Sequence, residues 1–299
     1  MAQADADVRA RMRPEDGTWV RLPLKGAVNV RELGGYPVAG GGQTRFRRFL
    51  RSDSLARLEA SDERFLYDYG VRCVIDLRGE DEVTSMPDCA IGADVLHAWV
   101  PLLEFNAADY QGLRERYGSD SNDFELGAIY WLILKNFPAI VEIFHVIATA
   151  PEGCVLFHCS VGKDRTGVVA MLLLGLAGVD KWDVVADYVQ SFPNLMRDAA
   201  YAADYEDSEP FGSREGLESS PASIEFAWDV IERAFGDVRS YLVGCGVSEE
   251  DLDAVFARLT QQPAPIPATR HLDHTPIPFM PSASGRTKGG AGACSVCPA

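Results

Sequence analysis

Three short apolar runs stand out against the polar background of the chain, at residues 71–77 and 153–159 and more weakly at 95–100. Runs of this length and composition predict buried strands. Elsewhere the apolar positions recur at helical spacing. They predict a helix over 124–148, amphipathic with a kink or break at Pro138, and another over 166–177, apolar all round as suits a central helix. Further helices are expected over 181–190, over 224–235 closed by Gly236, and over 249–259, where Ser248 and Asp251 form a capping pair. Strands alternating with helices predict an α/β fold, a central, mostly parallel sheet flanked by helices.

The longest uncharged apolar run, residues 167–179, has 13 residues. That is short of the ~20 that cross a bilayer, so no membrane span is expected. Residues 261–299 carry 7 of the 17 prolines, four glycines and a charge of +2, against −18 on the rest; this stretch is expected to be a flexible, disordered tail. Residues 1–20 form a charged N-terminal extension without the apolar core of a secretory signal, which makes a cytoplasmic location the default expectation. Segment 191–220 is acidic, aromatic and irregular. Its length suits either a lid carrying Phe192, Tyr201, Tyr205 and Phe211 or a solvated loop. The remainder, residues 21–260, is expected to form one domain.

An apolar share of 47% and a charged share of 24% argue against fibrous or wholly disordered classes. Counting 28 basic against 44 acidic side chains leaves a net charge of −16, a field that repels nucleic acid and anionic membrane surfaces. An anionic substrate must then be captured by a local positive pocket. Seven cysteines, an odd set in a chain with no export signal, point to reduced thiols. One of them is a candidate for chemistry. Composition is silent on oligomeric state.

The informative stretch is His158-Cys159-Ser160-Val161-Gly162-Lys163-Asp164-Arg165-Thr166-Gly167, placed between a predicted strand and the central helix. Backbone N–H groups of Ser160, Val161, Gly162, Lys163, Asp164 and Arg165 and the positive helix end can converge there on one anion. Arg165 can then grip two phosphate oxygens, and Gly162 and Gly167 let the backbone come close. The same surroundings favour the thiolate of Cys159, which can attack phosphorus and form a phosphocysteine without metal or cofactor. Thr166 is expected to donate its hydroxyl to the sulfur and ease its departure, and His158 to orient the loop backbone. A nucleotide-binding Gly-x-x-x-x-Gly-Lys-Ser/Thr loop is excluded because Phe157 and Asp164 stand where glycine and a hydroxyl residue are required. A sulfur-transfer loop would not require the arginine, and a sulfur-transfer or arsenate-reducing enzyme built on the same kind of loop stands as a rival class.

This loop resembles that of the atypical bacterial and fungal protein-tyrosine phosphatases, cysteine phosphatases that include dual-specificity and phosphoinositide-directed enzymes. Residues 29–36 (Asn-Val-Arg-Glu-Leu-Gly-Gly-Tyr), Leu50-Arg51-Ser52-Asp53, Val74-Ile75-Asp76-Leu77-Arg78, Asp187-Tyr188 and Tyr241-Leu242 are similar to other signatures of that family. The resemblance spans roughly residues 25–260. It implies a cysteine-phosphatase-like sheet and a phosphoprotein substrate, with tyrosine or dual specificity. The alternative is a small phosphorylated molecule such as a phosphoinositide, nucleotide or biosynthetic intermediate, and a more distant one is a non-catalytic phosphate-binding module.

The proton donor is open between two aspartates. Asp76 ends a predicted strand, where α/β proteins gather active-site groups, and the resemblance supports it as the acid; its structural alternative is a salt bridge to Arg78. Asp164 lies inside the loop, where a bound phosphate would keep it protonated. It either donates the proton or orients Arg165. Trp99-Val100-Pro101 is followed by Leu102, so the Trp-Pro-Asp acid of better-known tyrosine phosphatases is missing. Lys163 is either a second cation at the pocket rim, suited to polyanionic substrates, or a solvated lysine. Arg31, Arg51 and Arg78 either extend the positive pocket or pair with carboxylates. In the tail, His271-x-x-His274 and Cys294-x-x-Cys297 have zinc-ligand spacing but little apolar sequence to pack a metal module, and no metal site is expected. Cys154 should share a strand face with His158, opposite Cys159.

Overall fold

A computed structural model of the chain describes residues 21–103, 122–197 and 217–260. The N-terminal extension, the tail with its His271, His274, Cys294 and Cys297, and Tyr201, Tyr205 and Phe211 of the 191–220 segment lie outside the described residues. The chain divides into compact units 1–263 and 264–299, and all described residues belong to the first.

Along the chain come β1 (Arg31–Glu32), β2 (Phe49–Ser52), α1 (Ala60–Tyr69), β3 (Val71–Asp76), α2 (Glu80–Ser85), β4 (Leu96–Trp99), α3 (Asn122–Lys135), α4 (Phe137–Thr149), β5 (Cys154–His158), α5 (Asp164–Leu176), α6 (Lys181–Val189), α7 (Ser191–Leu195), α8 (Pro221–Phe235), α9 (Val238–Cys245) and α10 (Glu249–Leu259). The sheet order is β1-β2-β5-β3-β4. Only the short β1 runs antiparallel, so β2, β3, β4 and β5 all end at one edge. There Ser52 and Asp76 both pair with His158, and Trp99 pairs with Asp76. In open α/β sheets this carboxyl edge is where sites assemble.

The α/β expectation and its three strands are therefore found as β3, β4 and β5. β2 was invisible to the hydrophobic pattern because two of its four residues, Arg51 and Ser52, are polar yet fully buried. Strand alternation sorts side chains into two cores. Val155, Phe157, Ile75 and Phe49 face a layer built from α3, α4, α5, α6, α8, α9 and α10, while Cys154, Leu156, Val74 and Leu50 face α1 and the N-terminal Leu22 and Leu24. Cys159 lies in the first core and Cys154 in the second, the opposition expected from their spacing. Central α5 is buried on every side from Thr166 to Leu174.

Two helix expectations change in detail. The span 124–148 is two helices meeting at 66°. Asn136 caps α4 by accepting the Ala139 N–H, and Pro138 sits in its first turn, where its missing N–H leaves no bond unmade. At α10 the capping is one-way: Ser248 Oγ accepts the Asp251 N–H at 3.1 Å, but the Asp251 carboxylate lies 3.2 Å from His145 Nδ1 instead. Among the described residues no single helix is long and apolar enough to cross a membrane.

Candidate active site

Cys159 follows the last residue of β5, and α5 begins five residues later at Asp164. Between them the backbone folds into a loop whose Gly162 N–H donates to Cys159 Sγ at 3.3 Å. Gly162 has φ +72°, and a Cβ there would overlap the backbone of Ser52 and Asp53 at the end of β2. Glycine meets both demands at once. Gly167, one turn into α5, packs against the Tyr188 ring.

Arg165 reaches back over the loop and meets a residue the sequence did not single out. Its Nη1 and Nη2 lie 2.5 and 2.8 Å from Glu82 Oε2 and Oε1, and Ser160 Oγ donates to the same Oε1 at 2.5 Å. Burial opposes the charge on Glu82, but the hydrogen bonds and charge of Arg165, with Ser160 and the Gly79 N–H, outweigh it and hold the carboxyl down at about 2. Two of the five guanidinium N–H bonds suffice for this fork, so the pair fixes the arginine without exhausting its donors. The only sequence signal for Glu82 was an acidic first turn placed after β3, at the edge where β5 also ends.

Asp76, one of the two candidate proton donors, is paired with Arg78. Arg78 Nε bonds both its oxygens at 2.9 and 3.1 Å, Arg78 Nη2 adds 2.7 Å, and the Arg78 backbone N–H a further 3.0 Å. This is the structural salt bridge that stood as the alternative. Arg78 Nη2 also bonds Asp88 Oδ1 at 2.8 Å, and Asp88 Oδ2 stands 2.8 Å from His158 Nε2, a contact off the line of a hydrogen bond. Asp76, Asp88 and His158 are close enough together to ligate a metal. The Arg78 guanidinium between the two carboxylates already fills the cation's place. His158 Nδ1 donates to the Cys159 carbonyl at 3.2 Å, so this side chain does touch the loop backbone.

Asp164 is placed differently. It opens α5 with its side chain about 30% exposed, and it accepts a hydrogen bond from the buried Tyr130 hydroxyl at 2.8 Å, which itself lies 2.7 Å from the Tyr188 hydroxyl. Thr166 Oγ1 is buried with no hydrogen-bond partner among the described residues. Lys163 is not at the rim. Its side chain is buried, with Nζ 3.0 Å from the carbonyl of Glu218, just before α8, and 3.5 Å from Asp164 Oδ1. Val161, like Phe192 and Met196, packs against a small cluster of Val28, Leu195 and Leu217.

The arginines that stood either to extend the pocket or to pair with carboxylates are buried in ion pairs. Arg31 and Arg51 share Asp187, and Arg78 is held by Asp76 and Asp88. Arg51 Nη2 reaches the carbonyls of Gly162 and Lys163, and Asn29 Nδ2 those of Val161 and Gly162. Asn29 and Asp187 carried no assigned role in the sequence reading.

The arrangement is a buried sulfur that accepts the Gly162 N–H, a clamped guanidinium and one partly exposed carboxyl. The chain is similar to known phosphatases. The family described as "Tyrosine phosphatase family" matches residues 22–261. A tyrosine-protein phosphatase of Nostoc commune is 31% identical over 235 residues, covering 71% of this chain and 74% of the relative. The triple specificity protein phosphatase PtpB of Mycobacterium tuberculosis is 27% identical over 271 residues, covering 76% of this chain and 94% of the relative.

Proposed function

The chain belongs to the tyrosine phosphatase family and is a cysteine-based phosphatase acting on phosphorylated substrates; from that premise we propose that Cys159 is its nucleophile, Arg165 its anion clamp and Asp164 its proton donor. The observation that carries this is the Gly162 N–H aimed at Cys159 Sγ at the head of α5. Cys159 sulfur attacks phosphorus in line, forming the S–P bond as the P–O bond to the leaving group breaks. Asp164 delivers its proton to the departing oxygen. Water then attacks the phosphocysteine, Asp164 takes the water proton, and the sulfur leaves with the unpartnered Thr166 hydroxyl as its donor. The N–H groups of residues 160–165 and Arg165 hold the charge that spreads over the equatorial oxygens.

We assign Asp164 rather than Asp76 because both oxygens of Asp76 are taken by Arg78, whereas Asp164 reaches solvent beside the loop. The substrate class is phosphoprotein, with phosphotyrosine first, in line with the name of the Nostoc relative. The name of the mycobacterial relative extends this to more than one class of phosphoester.

The test is rapid quench with a phosphorus-labelled aryl phosphate. A phosphoenzyme trapped on Cys159 and absent from Cys159→Ser, with vanadate inhibiting turnover, is the expected result; turnover that survives Cys159→Ser would overturn the proposal.

A further inference from the structure

An anion receptor made from a backbone loop sets a condition on the other side of the same peptides. Each peptide unit carries its N–H and C=O in opposite directions, so N–H groups turned inward require carbonyls turned outward. Turned toward the protein, those carbonyls need donors. The structure supplies them at four consecutive residues. Ser160 O accepts the Ser54 N–H at 3.0 Å, Val161 O accepts Asn29 Nδ2 at 3.1 Å, Gly162 O accepts Asn29 Nδ2 at 3.1 Å and Arg51 Nη2 at 2.8 Å, and Lys163 O accepts Arg51 Nη2 at 3.3 Å.

Behind the side-chain donors, Asn29 and Arg51, stands one carboxylate. Asp187 Oδ2 lies 2.5 Å from Arg51 Nη1, and Asp187 Oδ1 lies 2.9 Å from Arg31 Nε. Arg31 Nη1 in turn donates to Asn29 Oδ1 at 2.5 Å. A guanidinium has no acceptor, so this bond fixes which way the Asn29 amide points: oxygen toward Arg31, NH2 toward the loop. Arg31 Nη2 ties the cluster to the next turn through the Asp187 carbonyl at 2.8 Å and Ser191 Oγ at 3.0 Å. Asn29, Arg31, Arg51 and Asp187 are all buried. Burial and the nearby Arg51 charge bring Arg31 down to about 10. For Asp187, burial works against the charged form, but the two arginines outweigh it and hold its carboxyl below the ordinary range. Two like charges this deep require the shared anion.

We propose that Asp187 is a positioning residue for the phosphate loop: without touching substrate, it holds Arg51 and the Arg31–Asn29 pair against the outward carbonyls and so keeps the N–H groups aimed at the anion. This rests on the loop being the anion receptor proposed above. It goes further in assigning catalytic preorganisation to a carboxylate in α6 and to a β2 arginine that faces away from the pocket.

The experiment uses the full chain. Asp187→Asn keeps the shape and removes the charge; Asn29→Asp keeps the shape and the acceptor facing Arg31 but loses the donor facing the loop. Val255→Ala, in α10 and remote from the loop, serves as a generally destabilised control. Vanadate affinity and the separate kcat and KM for para-nitrophenyl phosphate are measured on each, with thermal unfolding alongside.

The expected result is that vanadate affinity and kcat both fall about tenfold or more in Asp187→Asn and in Asn29→Asp, while Val255→Ala stays within about twofold of wild type. Should Asp187→Asn not fold, Asn29→Asp carries the same expectation. Variants that match wild type in vanadate affinity and kcat, or a control that loses as much as they do, would overturn the inference. A wild-type chain that neither binds vanadate nor turns over the ester would overturn the function proposed above together with it, whereas normal wild-type binding with unaffected variants overturns the inference alone.

Discussion

Arg165 and Glu82 meet fork to fork across 83 positions of sequence, each guanidinium nitrogen against its own carboxylate oxygen. The contact joins the first turn of α5 to the first turn of α2, two elements held side by side because β5 and β3 are sheet neighbours. An arginine that must grip a phosphate gains by being oriented before the anion arrives.

Glu82→Gln should therefore lower kcat/KM for para-nitrophenyl phosphate by about 10- to 100-fold, since a neutral amide cannot hold both nitrogens. Vanadate affinity should fall in parallel. Unchanged affinity would show that Arg165 is oriented by the loop alone.

Asp164→Asn and Asp76→Asn separate the two carboxyls. With Asp164 as the donor, its asparagine variant should slow phenyl phosphate by about 100-fold or more and para-nitrophenyl phosphate far less, because a good leaving group needs no proton. Asp76→Asn should lower the melting temperature, having weakened the hold on buried Arg78, and leave the leaving-group dependence as in wild type. A steepened dependence in Asp76→Asn alone would reverse the assignment.

Gly162→Ala places a methyl group against the Ser52 and Asp53 backbone at a positive φ. Strain of this kind is worth about 1–3 kcal/mol before the overlap is counted. A drop in unfolding free energy of at least that size, with vanadate binding abolished, is expected in denaturant titration and inhibition assays; an alanine variant with wild-type inhibition would mean that the loop is looser than its contacts indicate.

Glu32 offers a pH signature away from the catalytic loop. Burial pushes its carboxyl up from 4.5 to about 7, against the opposing hydrogen bonds from the Tyr69 hydroxyl and the Arg47 and Gly34 N–H groups. Because the folded value is the higher one, the folded chain holds a proton there that the unfolded chain releases. Its contribution to stability is full below pH 4.5 and is lost as pH rises through about 7. Relative to Glu32→Gln, the wild-type unfolding free energy should decline between those values in denaturant titrations. A constant difference across the window would mean that the hydrogen bonds dominate.

What sequence by itself determined is the part that local spacing controls. Strand alternation placed Cys154 and Cys159 on opposite faces, the apolar run of α5 marked the central helix, and the interval from Cys159 to Arg165 set the length of the loop between β5 and α5. Each depends on residues a few positions apart, whose geometry the backbone dictates. Tertiary structure decided the charge pairing. That Asp76 belongs to Arg78, that Glu82 belongs to Arg165 and that Asp187 gathers Arg31 and Arg51 all follow from strand order β2-β5-β3 and from the helices packed beside it. In a chain with 44 acidic side chains every arginine has many possible partners. For the buried Arg31, Arg51 and Arg78, burial leaves the carboxylates that the fold brings within reach.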